Sequence, residues 1–171
     1  MERRLLDTGL RGDVMPYSRK DLASITHIIV VESGCHWAKR AGFLPSYMRA
    51  EVVTQPVWEQ SEAFVRRAVK AISSRPGSIV RVVLVGNDSW DMRALGVRST
   101  IVRAAIARLG AIPDAEIVLC ADLETDERAF GAMKAFAASL SELVATTVRI
   151  RCVRELPEPR PQRVDALQHA A

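Results

Sequence analysis

Ile25-Thr26-His27-Ile28-Ile29-Val30-Val31, running on into Glu32-Ser33-Gly34-Cys35-His36-Trp37, is the stretch on which the fold turns. Apart from Thr26 and His27 its first seven residues are branched and apolar, which suits a strand buried on both faces. The polar cluster that follows belongs at the carboxyl end of such a strand, where open α/β sheets bind ligands near the reversal of strand order. Ile79-Val-Arg-Val-Val-Leu-Val85 repeats the pattern with one arginine near its start. It ends in a second polar cluster, Gly86-Asn87-Asp88-Ser89-Trp90-Asp91.

Working outward, Ala50 to Thr54 reads as a short second strand, Ala115 to Ala121 as a fourth and Thr147 to Val153 as a fifth. Helical spacing separates them. Pro56 suits a first turn, after which Trp58, Val65, Ala68, Val69 and Ile72 fall on one face until Ser73 to Gly77 end the period. Ser99 or Thr100 is the expected cap of the next helix, with Ile101, Val102, Ala105, Ile106 and Leu109 as its buried stripe. Thr125, with Asp126 and Glu127 in the first turn, opens a third helix, in which Phe130, Met133, Phe136, Ala137, Leu140 and Val144 share a face. His36 to Met48 has room for a short, proline-interrupted helix.

Strands alternating with helices imply right-handed crossovers and a parallel sheet between helical layers. The expected fold is three-layer α/β: a flavodoxin-like, doubly wound, five-stranded sheet of order 2-1-3-4-5. A full final helix is not expected, because prolines 157, 159 and 161 follow the fifth strand. In that strand Val148, Ile150 and Cys152 alternate with Arg149 and Arg151, so one face should be apolar and the other wet, as on a charged sheet edge.

The chain has 171 residues, 49% of them hydrophobic and 26% charged, which fits one globular domain and excludes disorder throughout. That domain is expected over residues 25–154, with an arm at 1–24 and a Pro/Arg-rich tail at 155–171. No apolar run is long enough to span a bilayer, and Met1 to Asp7 does not resemble a secretory signal. Cys35, Cys120 and Cys152 are odd in number and far apart, as for reduced thiols of a cytoplasmic protein. The net charge of +4 comes largely from arginine near the two ends. The absence of aromatic interleaving argues against nucleic acid as a partner.

In the expected order the first and third strands are neighbours, so their loops flank one crevice. The candidate ligand-binding residues are Glu32, Ser33, Gly34, Cys35, His36, Gly86, Asn87, Asp88, Ser89 and Trp90. Cys35 beside His36 invites a thiolate-and-base reading, but adjacent loop residues aim apart. Metal binding by His36, Cys35, Asp88 and Asp122 lacks any paired ligand spacing, and no metal or cofactor is assigned. Glu32 and Asp88 stand near the acidic positions of receiver domains of two-component signalling, without that family's acidic pair or its lysine. Gly86, Gly96, Ser99 and Thr100 partly resemble the phosphate-binding loop of universal stress proteins, with Ser89 where that pattern has glycine; the resemblance implies a phosphate held at a helix N-terminus.

No complete catalytic constellation emerges. The sequence favours a non-enzymatic regulatory or interaction module. A protein partner or a second copy would meet it through the edge strand 147–153 or the tail, with room for a small ligand in the crevice. The alternative is a nucleotide- or small-molecule-binding enzyme whose site is built at the carboxyl ends of the first and third strands.

Overall fold

β1 (His27–Val31), β2 (Ala50–Thr54), β3 (Arg81–Gly86), β4 (Glu116–Ala121) and β5 (Arg149–Val153) form one all-parallel sheet of order β2-β1-β3-β4-β5. The computed structural model describes residues 25–35, 49–86, 92–122 and 125–154, with side chains from residue 96 onward in the segment that begins at 92. The expected helix at 36–48, the arm 1–24 and the tail 155–171 lie outside them. Helices α1 (Ser61–Ser74), α2 (Met92–Leu109) and α3 (Glu127–Val144) connect β2 to β3, β3 to β4 and β4 to β5. The arrangement is that of a three-layer flavodoxin-like fold.

All three connections travel across the sheet in the same direction, and right-handed crossovers travelling one way lie on one face. Their apolar stripes accordingly meet a single sheet surface. Phe64, Ala68 and Ile72 of α1, Ile101, Ala105 and Leu109 of α2, and Met133, Ala137 and Leu140 of α3 join Ile28, Val30, Val82, Leu84, Ile117 and Leu119 in one buried cluster. Each such aliphatic side chain contributes about 1.5–3 kcal/mol by leaving water. The other face is equally dry at its centre: Ile29, Val31, Val83, Val85, Val118 and Cys120 pack together there with Cys35. Burial on both faces explains why these strands read as continuous apolar runs.

Arg108 on α2 fastens the end of α1, donating to the carbonyl oxygens of Arg75 (2.7 Å), Gly77 (3.0 Å) and Ser73 (3.2 Å). A helix C-terminus leaves carbonyls without intrahelical partners, and a guanidinium supplies several donors at once. α3 starts one residue later than the opening expected at Thr125: Asp126 is the N-cap, its carboxylate accepting from the Ala129 N–H at 2.8 Å.

The other two helix starts differ from the sequence reading by more. α1 begins at Ser61, and Pro56-Val57-Trp58 is a turn closed by the Glu59 N–H on the Pro56 carbonyl; Trp58 is not part of the buried stripe. α2 begins at Met92, ahead of the expected Ser99 or Thr100 cap. Thr100 lies inside the helix, where its hydroxyl donates to the Gly96 carbonyl one turn back and has no capping role. Gly96, Ser99 and Thr100 are therefore helical, and the universal-stress-protein phosphate loop is not formed at those residues. Among the described residues no helix is long and apolar enough to cross a membrane.

α3 ends on Ala145 in the left-handed conformation, at φ 48° and ψ 44°. A Cβ in that conformation costs about 1–2 kcal/mol, whereas glycine adopts it freely at a chain-entropy cost of about 0.5–1 kcal/mol. Ala145→Gly should therefore raise stability by roughly 0.5–1 kcal/mol in urea denaturation, and a loss of stability would show that the cap is not strained.

Candidate functional site

At the carboxyl edge of the sheet the chain leaves β1 through Glu32, whose N–H donates to the Val85 carbonyl at 3.0 Å and so continues the ladder to β3. The expected adjacency of the first and third strands is therefore present, with Gly86 closing β3 beside it. His36, Asn87, Asp88, Ser89 and Trp90 lie outside the described residues. Glu32, Ser33, Gly34, Cys35 and Gly86 are the candidate residues whose placement is described.

The Glu32 side chain turns inward to a partner that sequence reasoning missed. Arg98 of α2 donates from Nε to Oε2 at 2.9 Å and from Nη2 to Oε1 at 2.6 Å, a two-pronged pair. Arg98 has no exposed surface at all. Ionised guanidinium in an apolar interior is costly by several kcal/mol, and a carboxylate held by two parallel hydrogen bonds offsets that cost. Glu32 is engaged in supporting the fold. The sequence did hold a signal for Arg98: it stands at helical spacing before Ile101, Val102 and Ala105, on the buried stripe where a charge requires a partner.

Gly34 follows at φ 79°, a left-handed conformation that glycine takes without strain. The turn it makes brings Cys35 back under the edge, buried among the apolar residues of the second face. The Cys35 thiol donates to the Val85 carbonyl across 3.7 Å. Burial pushes its pKa far above the ordinary thiol range, and the nearby negative charges of Asp122 and Glu32 push the same way, against a smaller opposing influence of Arg98. A thiol held protonated is a poor nucleophile. The geometry therefore gives no support to cysteine catalysis from Cys35.

The remaining groups at this edge are braced as well. The Ser33 N–H donates to Gln55 Oε1 at 3.2 Å, and Gln55 Nε2 donates to the Glu59 carbonyl at 3.2 Å. Arg67 of α1 binds both carboxylate oxygens of Glu59, at 2.6 and 2.8 Å, and the Thr54 carbonyl at 2.7 Å. Past β5, Arg154 stacks over the Phe130 ring at 4.5 Å while donating to the Thr125 carbonyl and pairing with Glu127. Thr125 Oγ1 is buried without a hydrogen-bond partner. Among the described residues no three His, Cys, Asp or Glu side chains gather where one metal ion would be held.

The turn carried by these braces presents two large apolar side chains to solvent. Val57 is 90% exposed and Trp58 82% exposed. Comparison with protein family models, with curated proteins and with solved structures found no match to this chain.

The state of Cys35 is directly measurable. At about pH 9, where a free thiol is largely thiolate, native protein should leave Cys35 unmodified by iodoacetamide while urea-unfolded protein reacts fully. Because the unfolded thiol ionises first as pH rises, Cys35 should also lower stability above roughly pH 8.5. Rapid native alkylation at Cys35 would contradict the buried, protonated thiol.

Proposed function

We propose that this chain is a non-enzymatic interaction module of the cytoplasm, in which a flavodoxin-like sheet serves as scaffold and the carboxyl edge as the docking surface for a protein partner. The observation that carries this reading is the exposure of Val57 and Trp58 on a turn that Gln55, Glu59 and Arg67 hold rigid. A tryptophan kept in water by a braced backbone loses little freedom on association, and tryptophan anchors supply a large part of interface binding energy. The partner surface that fits is an apolar pocket of a size to take the indole, with few charges, since Glu59 beside it is already neutralised by Arg67. The polar groups of the neighbouring crevice whose bonds are described serve the fold, which favours docking over turnover.

The edge strand β5 is a second surface a partner could use. It pairs on one side with β4, and one of its faces carries the exposed Arg149 and half-exposed Arg151. Flanking arginines discourage strand addition, so the Val57–Trp58 turn is the stronger candidate. The three free cysteines accord with a reducing compartment.

The test places a photo-crosslinking residue at position 58 and compares it with one at the exposed Leu143 on α3. A single dominant adduct specific to position 58 is expected. Against the partner so identified, Trp58→Ala should weaken binding by about 2 kcal/mol or more, roughly thirtyfold. Both residues are exposed, so stability should change by less than about 0.5 kcal/mol. Identical adducts from both positions, or unchanged affinity, would count against the reading. A rise in thermal midpoint with nucleotides or flavins would favour the small-molecule alternative instead.

A further inference from the structure

β5 is the open flank of the sheet. Of the strands described it is the one with no buried residue, whereas β1, β2, β3 and β4 all have buried positions. β2, on the other flank, is fastened by α1: Arg67 donates to the Thr54 carbonyl at 2.7 Å, and Arg75 forms a two-pronged pair with Glu51. β5 pairs with β4 along Arg149–Val153, and among the described residues no strand lies on its other side. Such a flank presents a row of backbone N–H and C=O groups, a template for another extended chain.

The side chains decide which chain. Arg149 and Arg151 alternate with Ile150 and Cys152, so β5 offers guanidiniums on one face and apolar groups on the other. Ile150 and Cys152 are only partly covered where they meet the helix-side core. On the arginine face, Arg81 and Arg151 reach one oxygen of Glu116, at 2.7 and 3.1 Å. Arg149, in register with Glu116, is exposed and has no ion-pair partner among the described residues. Asp114 shares a cleft wall with Arg149, and the cationic groups on this side still outnumber the acidic ones. Across a strand pair opposite charges attract and like charges repel. The arginines that turn away an apolar or basic strand therefore favour an acidic one. A second copy of β5, paired antiparallel along its full length, would set Arg151 against its own counterpart.

We propose that β5 accepts an acidic, extended segment of a protein partner as a sixth strand. Its carboxylates lie at alternate positions beside Arg149 and Arg151, and its apolar residues between them beside Ile150 and Cys152. In strand addition of this kind main-chain hydrogen bonds supply affinity and the alternating side chains supply specificity. The surface stands apart from the Val57–Trp58 turn, which follows β2 on the opposite flank.

The experiment mixes the full chain with a fluorescently labelled peptide in which glutamate and valine alternate. Anisotropy measures affinity, and hydrogen exchange with mass spectrometry locates the contact. Saturable binding with slowed exchange confined to β5 is expected. A lysine–valine peptide should not bind, and N-methylation of the glutamate–valine backbone should abolish binding, because it removes the donors that extend the sheet. Arg149→Glu should weaken binding roughly tenfold. Arg149 is exposed, so this variant keeps the fold. Trp58→Ala should leave the peptide affinity unchanged, so this proposal and the Val57–Trp58 reading fail separately. Equal binding of the lysine peptide, unchanged affinity in Arg149→Glu, or protection away from β5 overturns the proposal. So does full protection of β5 in the chain alone, which would give the flank to an occupant such as a second copy.

Discussion

The two-pronged ion pair between Glu32 and Arg98 is the constraint on which the carboxyl edge depends. A guanidinium with no exposed surface is tolerable only beside a carboxylate that is itself held in place. Glu32 meets that condition because its own N–H continues the ladder onto the Val85 carbonyl. The pair therefore clamps α2 to the end of β1, and β1 to β3, at the point where the polypeptide leaves the sheet. The positions of Gly34, Cys35 and Ser33 follow from that anchor. Through Ser33 and Gln55 it reaches the Val57–Trp58 turn.

The two edges of one sheet divide their charges differently. At the carboxyl edge Glu32 pairs with Arg98, Glu59 with Arg67 and Glu127 with Arg154, and what faces water on the Pro56 turn is apolar. At the amino edge Arg81 and Arg151 share one oxygen of Glu116, and Arg149 has no ion-pair partner among the described residues. Matched, fully satisfied charges rigidify the edge that holds them.

Much of the architecture was legible because burial on both faces imposes a distinctive pattern. Ile28 to Val31 and Val82 to Val85 had to be central, and helices at Phe64–Ile72, Ile101–Leu109 and Met133–Leu140 had to cover them. The start of α1 was misread because Trp58 fits the helical period of Val65 and Ile72. Periodicity cannot show that side-chain bonds from Gln55 and Arg67 hold the preceding turn away from the helix. At the candidate site, the neighbourhood of Glu32, Cys35 and Gly86 followed from strand order alone. Their chemistry did not, since it depends on Arg98, distant in the chain, and on the inward turn at Gly34. A charge on an apolar helical stripe was the one available clue.

The most direct test is a double-mutant cycle on Glu32→Leu and Arg98→Met, read by urea denaturation. Each single substitution breaks a buried ion pair by removing one partner and should cost roughly 3–5 kcal/mol. The double variant, which removes both charges, should lose substantially less than the sum, giving a coupling of roughly 1–3 kcal/mol. Losses that simply add to within about 0.5 kcal/mol would mean that the two groups do not hold the edge together.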